Sequence, residues 1–168
     1  MKAKEIIDFF EGKRLKVYLD SGGLKTVGIG HLLPDNTLLK VGDKITLEQC
    51  DRFFAEDYQE AELRVNKHIY IPLNEYEKAA VISQAFNLKS FPQLASHLNK
   101  DKNLYKRRML LYCHDAVKKV KLNGLLIRRI CERLLFEGKD WKKIATELQR
   151  ENNLEYTNNK MRQLFYDL

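Results

Sequence analysis

Two carboxylates and a hydroxyl fall within sixteen positions near the N-terminus: Glu11, Asp20 and Thr26, in the run EGKRLKVYLDSGGLKTVGIGH from 11 to 31. Glu11 follows Ile6, Ile7, Phe9 and Phe10, whose spacing suits one face of a short helix, and Gly12 offers a stop just past it. A carboxyl at the end of a packed helix is partly desolvated, which favours its protonated form and makes it a proton donor. Asp20 sits differently, between the strand-like Val17-Tyr18-Leu19 and the turn cluster Ser21-Gly22-Gly23. A polar turn keeps a carboxylate ionised. Two carboxyls in unlike environments are the pair that glycosidic cleavage needs. Thr26 opens a return strand, Thr26 to Gly30. Period-two alternation puts Thr26, Gly28 and Gly30 on one face and Val27 and Ile29 on the other. The hydroxyl would then point at a cleft that two glycines keep open.

The residues that must position this set are read next along the chain. A first helix covers 3–11. A small sheet covers 14–41, with strands near 15–19, 25–30 and 38–41 and turns at Gly22-Gly23 and Pro34-Asp35-Asn36. Thr46 and Gln49 have capping-box spacing, so a helix begins near 47 and runs to about 66. Asn74 with Glu77 caps another, about 75–88, which is apolar on nearly every side and is therefore expected at the buried centre of the helical part. Phe91-Pro92 starts a short helix to about Asn99, and 103–121 reads as a basic amphipathic helix. A further helix follows over 123–136, with Gly138 as its stop. Within it Arg128 or Arg129 can pair with Glu132, which reads as architecture. Two last helices carry Trp141, Ile144, Ala145 and Leu148 on one and Met161, Leu164 and Phe165 on the other, with Thr157 as a candidate cap.

The set Glu11, Asp20, Thr26 followed by Gly28-Ile29-Gly30-His31 resembles the catalytic signature of the phage-type lysozymes, the endolysin muramidases. That signature is a Glu at a helix end, an Asp nine positions on, a Thr six further, then G-x-G-H, and every position is filled. Two later blocks are similar to the family as well: AAVISQAFNL from Ala79 to Leu88, with Lys89 where the family usually has Gly, and the G-L-x-x-R-R-x-x-E-x-x-L spacing from Gly124. The resemblance covers about residues 5–138. It implies a general acid at Glu11, an attacking water held by Asp20 and Thr26, and inversion at the anomeric carbon. It also implies sugar contacts at Leu32 and Phe86, although Phe86 equally suits core packing. His31, beside this set, either orients catalytic groups or is structural and paired with a buried acid, and the structural role is the favoured expectation.

The expectation is therefore an α+β, lysozyme-like fold in one domain, 1–168. A sheet lobe covers about 13–58 and a helical lobe about 1–12 and 59–138. A helical extension, 139–168, packs as a cap. Its W-x-x-I-A-x-x-L spacing faintly suggests a helix-turn-helix, but six basic against five acidic residues is a weak charge for phosphate binding. The expected activity is hydrolysis of the β-1,4 bond between N-acetylmuramic acid and N-acetylglucosamine in peptidoglycan. Its rivals are a lytic transglycosylase and a non-catalytic wall-binding or toxin module. The reaction needs no cofactor. Cys50, Cys113 and Cys131 are an odd set with no metal-ligand spacing and read as buried free thiols, so no metal is expected.

Charge bounds the partners. The net charge is +7, and 102–133 holds ten Lys or Arg against Asp115 and Glu132. These basic helices could draw an anionic cell-wall polymer or lipid headgroups. Peptidoglycan is the expected substrate and the expected state is a monomer, with no nucleic acid. No apolar run is long enough to span a membrane, and the N-terminus lacks the apolar region of a signal peptide. Synthesis in the cytoplasm without a signal is expected, with release to the periplasmic wall through a lysis pore or a secretion system.

Overall fold

A computed structural model of the chain describes residues 2–20, 22–114 and 119–166. Helix α1 (Lys2–Glu11) buries Ala3, Ile6 and Ile7. It ends at Glu11 because Gly12 turns to φ 67° and donates its N–H to the Asp8 carbonyl at 3.1 Å. Glycine takes that conformation without a Cβ penalty. Strands β1 (Arg14–Leu19) and β2 (Lys25–Gly28) pair antiparallel with Tyr18 opposite Thr26, and β3 (His31–Leu32) pairs with β2 so that Leu32 lies opposite Thr26.

The sheet differs from its sequence reading in two places. The return strand stops at Gly28 rather than running to Gly30, because Gly28 and Gly30 adopt φ 67° and 72° and fold the chain straight into β3. Thr26, Val27 and Gly28 are consequently all buried, and the expected alternation of faces is lost. No strand forms at 38–41. Leu38 is 95% exposed there, and Gly42 at φ 96° turns the chain so that Lys44 bridges Lys16 of β1. Ser21, part of the expected turn, lies outside the described residues.

Both capping boxes form. Thr46 and Gln49 start α2 (Leu47–His68), and Asn74 and Glu77 start α3 (Glu75–Asn87). α3 is buried almost throughout and packs against α1, α2 and the later helix α6 (Asn123–Phe136). Between them lie α4 (Phe91–Lys100) and α5 (Lys102–Met109). The helix expected over 103–121 ends at Met109. Lys119 at φ 57° cannot continue a right-handed helix, and the Leu122 N–H returns to the Cys113 carbonyl at 2.8 Å. Residues 115–118 of that expected helix lie outside the described residues.

α6 is buried from Leu126 to Phe136 and stops at Gly138, φ 69°. The chain closes with α7 (Lys142–Glu151) and α8 (Leu154–Leu164). Thr157 does not cap α8. Asn153 does, accepting the Tyr156 N–H at 2.9 Å, while the buried Thr157 hydroxyl donates to the Asn153 carbonyl at 2.9 Å. Trp141, just before α7, packs edge-on against Phe9 of α1 with ring centroids 5.3 Å apart. The three cysteines are buried free thiols.

Candidate active site

Glu11 is held from two sides. Its Oε1 accepts a hydrogen bond from Arg128 Nη1 at 2.5 Å, and a Cβ added at Gly30 would come within 2.9 Å of its Oε2. Glycine at 30, at φ 72°, lets the carboxyl lie here without a clash. Arg128 is itself fixed. Its side chain is 4% exposed, its Nε donates to Glu132 Oε1 at 3.1 Å, and its Nη2 donates to the Ser83 carbonyl at 3.4 Å. Glu132 is wholly buried and also accepts from Arg129 Nη1 at 2.6 Å and from the Ser83 hydroxyl at 2.7 Å. Arg129 in turn donates to the Asn87 side-chain oxygen at the end of α3. Burial pushes the Arg129 guanidinium below its usual value, opposed by Glu132.

Arg128 and Arg129 are two cations that share the buried anion of Glu132, and Arg128 turns its Nη1 donor to Glu11. A carboxyl oxygen can accept that donor both as the acid and as the carboxylate. Arg128, read from sequence as architecture, therefore touches the candidate acid. The signal that could have found it is the imbalance of three arginines, Arg128, Arg129 and Arg133, against the single Glu132 in a mostly apolar helix.

Asp20 and Thr26 are anchored to one residue. Asp20 Oδ1 accepts the N–H groups of Gly22 and Leu24 at 2.8 and 2.9 Å, while the Thr26 hydroxyl donates to the Leu24 carbonyl at 3.1 Å. Among the described residues none bonds Asp20 Oδ2, and the Thr26 oxygen keeps its acceptor lone pairs. Tyr18, opposite Thr26, lies between the two carboxylates electrostatically. Burial pushes its phenol up, Arg14 acts against that, and the charges of Glu11 and Asp20 add to the rise. No hydrogen bond joins Glu11 to Asp20 or Thr26 among the described residues.

Two concavities lie by this region, one reaching Gly30 and the other Glu11 itself. One, of about 390 Å³, is lined by Gly30, Leu32, Phe86, Arg64 and Lys89 among others, and so joins both residues expected to touch sugar. The other, of about 660 Å³, is lined by Glu11 itself, Phe10, Asn87 and Arg128, with residues of α6 and α7. Asp20 and Thr26 line neither. The turn after α3 forms without the usual glycine, because the Arg64 guanidinium holds the carbonyls of Ala85, Leu88 and Lys89. His31, in the wall of the first concavity, pairs through Nδ1 with Asp57 at 2.9 Å and stacks on Phe53 with centroids 4.3 Å apart. Asp57 is half-buried rather than buried. Among the described residues no cluster of His, Cys, Asp or Glu is large enough to hold a metal ion.

A mostly helical chain with a three-stranded antiparallel sheet and a carboxylate held at the cleft between them defines a lysozyme-like α+β protein. Residues 8–132 match the phage lysozyme family, and the chain belongs to that family. It is similar to the endolysin of Acyrthosiphon pisum secondary endosymbiont phage 1, at 32% identity over 144 residues, 82% of this chain and 96% of that protein. It is also similar to the endolysin of Salmonella phage P22, at 33% identity over 129 residues, 75% and 88% of the two chains. Among solved structures it resembles an endolysin from Escherichia coli O157:H7 phage FAHEc1, with a TM-score of 0.71 and 32% identity over 80% of this chain and 90% of that one. The protein is a lysozyme, a peptidoglycan hydrolase acting on the cell wall.

Proposed function

We propose that the protein is an N-acetylmuramidase that cleaves the β-1,4 bond between N-acetylmuramic acid and N-acetylglucosamine with inversion. Glu11 gives its proton to the glycosidic oxygen as the bond to the anomeric carbon breaks. Water attacks that carbon from the opposite face and passes its proton to Asp20, while Thr26 accepts a hydrogen bond from the same water. The carboxylate left on Glu11 is met by Arg128. Leu32 and Phe86 contact the sugar. The observation that carries this reading is the clamping of Glu11 between Arg128 and Gly30, at the edge of a sugar-sized cleft. The anchoring of Asp20 through one oxygen supports the base role, since the other remains for water.

The test is the anomer of the first-formed product, followed by NMR on peptidoglycan glycan. An α-anomer from the β-linkage is expected. A β-anomer would overturn the water-inversion mechanism, and 1,6-anhydro ends would identify a transglycosylase. Glu11→Gln is expected to fold and to lose nearly all activity in the same assay. The enzyme reaches the wall after synthesis in the cytoplasm, through a lysis pore or a secretion system.

A further inference from the structure

The cavity that Glu11 lines, separate from the one lined by Leu32 and Phe86, has a composition that the catalytic reading leaves unused. Its volume, about 660 Å³, lies within the range of about 300–1,000 Å³ typical of ligand pockets. Part of its wall comes from Gln149 and Asn152, at the end of α7. Both lie beyond residue 132, where the family match ends. Asn152 takes φ 42°, a left-handed conformation that Asn tolerates, and this ends the helix and leaves its amide at the cavity. Its Oδ1 accepts from Asn123 Nδ2 at 3.4 Å.

We propose that α7, which lies outside the stretch shared with the family, adds amide contacts to the sugar on the second side of the scissile bond. The proposal rests on the muramidase reading. Three observations carry it. Phe86 and Asn87 are adjacent at the end of α3, yet Phe86 lines one concavity and Asn87 the other, so a glycan crossing Glu11 would set one sugar in each. The cavity's one guanidinium, Arg128, is 3% exposed and already donates to Glu11, Glu132 and the Ser83 carbonyl, so it offers little to an anion. What remains is the amides of Gln149, Asn152 and Asn87 beside the apolar Phe10 and Leu125. Amides that both donate and accept, next to an apolar wall, fit an uncharged N-acetylated hexose with its hydroxyls and acetamido group.

The experiment uses the full chain and glycan strands freed of their stem peptides. Gln149→Ala combined with Asn152→Gly removes both amides. Both residues are exposed, and glycine suits the backbone at 152. Gly124→Phe acts in the opposite sense. A Cβ at Gly124 meets nothing within 4 Å, so a ring there enters the cavity that Gly124 lines. Each variant is expected to raise KM by about tenfold, with kcat within about twofold and the melting temperature unchanged. In a Glu11→Gln background both are expected to weaken strand binding by a similar factor. A normal KM and normal strand binding in both variants would overturn the subsite while leaving the muramidase reading intact. Failure of the unmodified protein to release reducing ends would overturn both.

Discussion

Glu11, Asp20 and Thr26 stand out in the sequence as a candidate set because everything that suggests their roles is local. The helix before Glu11, the turn around Asp20 and the glycines after Thr26 all lie within a few residues of them. Arg128 could not be read in this way, since it meets Glu11 across 117 positions of chain. Its consequence is testable. Arg128→Met leaves Glu132 with one cationic partner, Arg129, and Glu11 with none among the described residues, and removing one member of a buried ionic network costs about 3–5 kcal/mol. Activity should fall further than stability accounts for, by about a hundredfold measured under conditions where the variant is folded, because Glu11 loses the group that orients it. Arg128→Lys should restore little of either, since its single nitrogen cannot occupy both the Nε position that reaches Glu132 and the Nη1 position that reaches Glu11. Denaturant unfolding and initial rates on peptidoglycan check both expectations, and a Lys variant with normal rates would show that the fork geometry is unimportant.

Elements with an explicit start signal were legible, and those defined by a reversal were not. The two capping boxes placed α2 and α3, and the all-round apolar character of α3 placed it at the centre. The sheet was misjudged because Gly28 and Gly30 serve a tight reversal into β3, a role that strand alternation does not show. The long basic helix was misjudged because its charges conceal a turn. Three of its neighbourhood's arginines, Arg128, Arg129 and Arg133, are buried in α6, so the exposed basic surface is smaller than the composition implies. At this scale Glu137 ties the end of α6 to α5 and to the segment before α7, through Arg133, Lys106 and Lys139 at 3.1, 3.9 and 2.6 Å. Burial works to raise its carboxyl, but the hydrogen bonds from Lys139 and Arg133 outweigh it and hold the carboxyl below its usual 4.5. A carboxyl depressed by folding stabilises where it is ionised. That contribution is full above the unfolded value and is lost as pH falls through the folded one. Glu137→Gln should therefore lower the urea midpoint near neutrality, and the gap to the parent protein should close towards about pH 3. A gap that is constant with pH would mean that the residue acts through packing alone.

At the scale of the molecule the open matter is whether the last thirty residues belong to the catalytic body. The chain's one tryptophan answers it, because Trp141 stands where the extension meets α1. It is 5% exposed, sits against Phe9 and Phe10, and is followed by Lys142, which pairs with Glu5 of α1 at 3.2 Å. Farther on, the Phe165 ring lies 4.0 Å from the Arg133 guanidinium of α6. α1 in turn carries Glu11 and packs on α3. Undocking the extension would thus uncover the apolar flank of the helix whose end holds the candidate acid. Thirty residues have too little interior to be stable alone, so their order depends on that contact. We propose that residues 1–168 unfold as one cooperative domain. Tryptophan fluorescence, which reports the docking of the extension, and far-UV circular dichroism, which reports all the helices, should then trace one urea transition with a single midpoint. If fluorescence changed first, at lower urea, the extension would be a separately dissociating cap. Activity measured across the same gradient should follow the fluorescence curve in either case, because Phe10 belongs both to the packing around Trp141 and to the wall of the cavity beside Glu11.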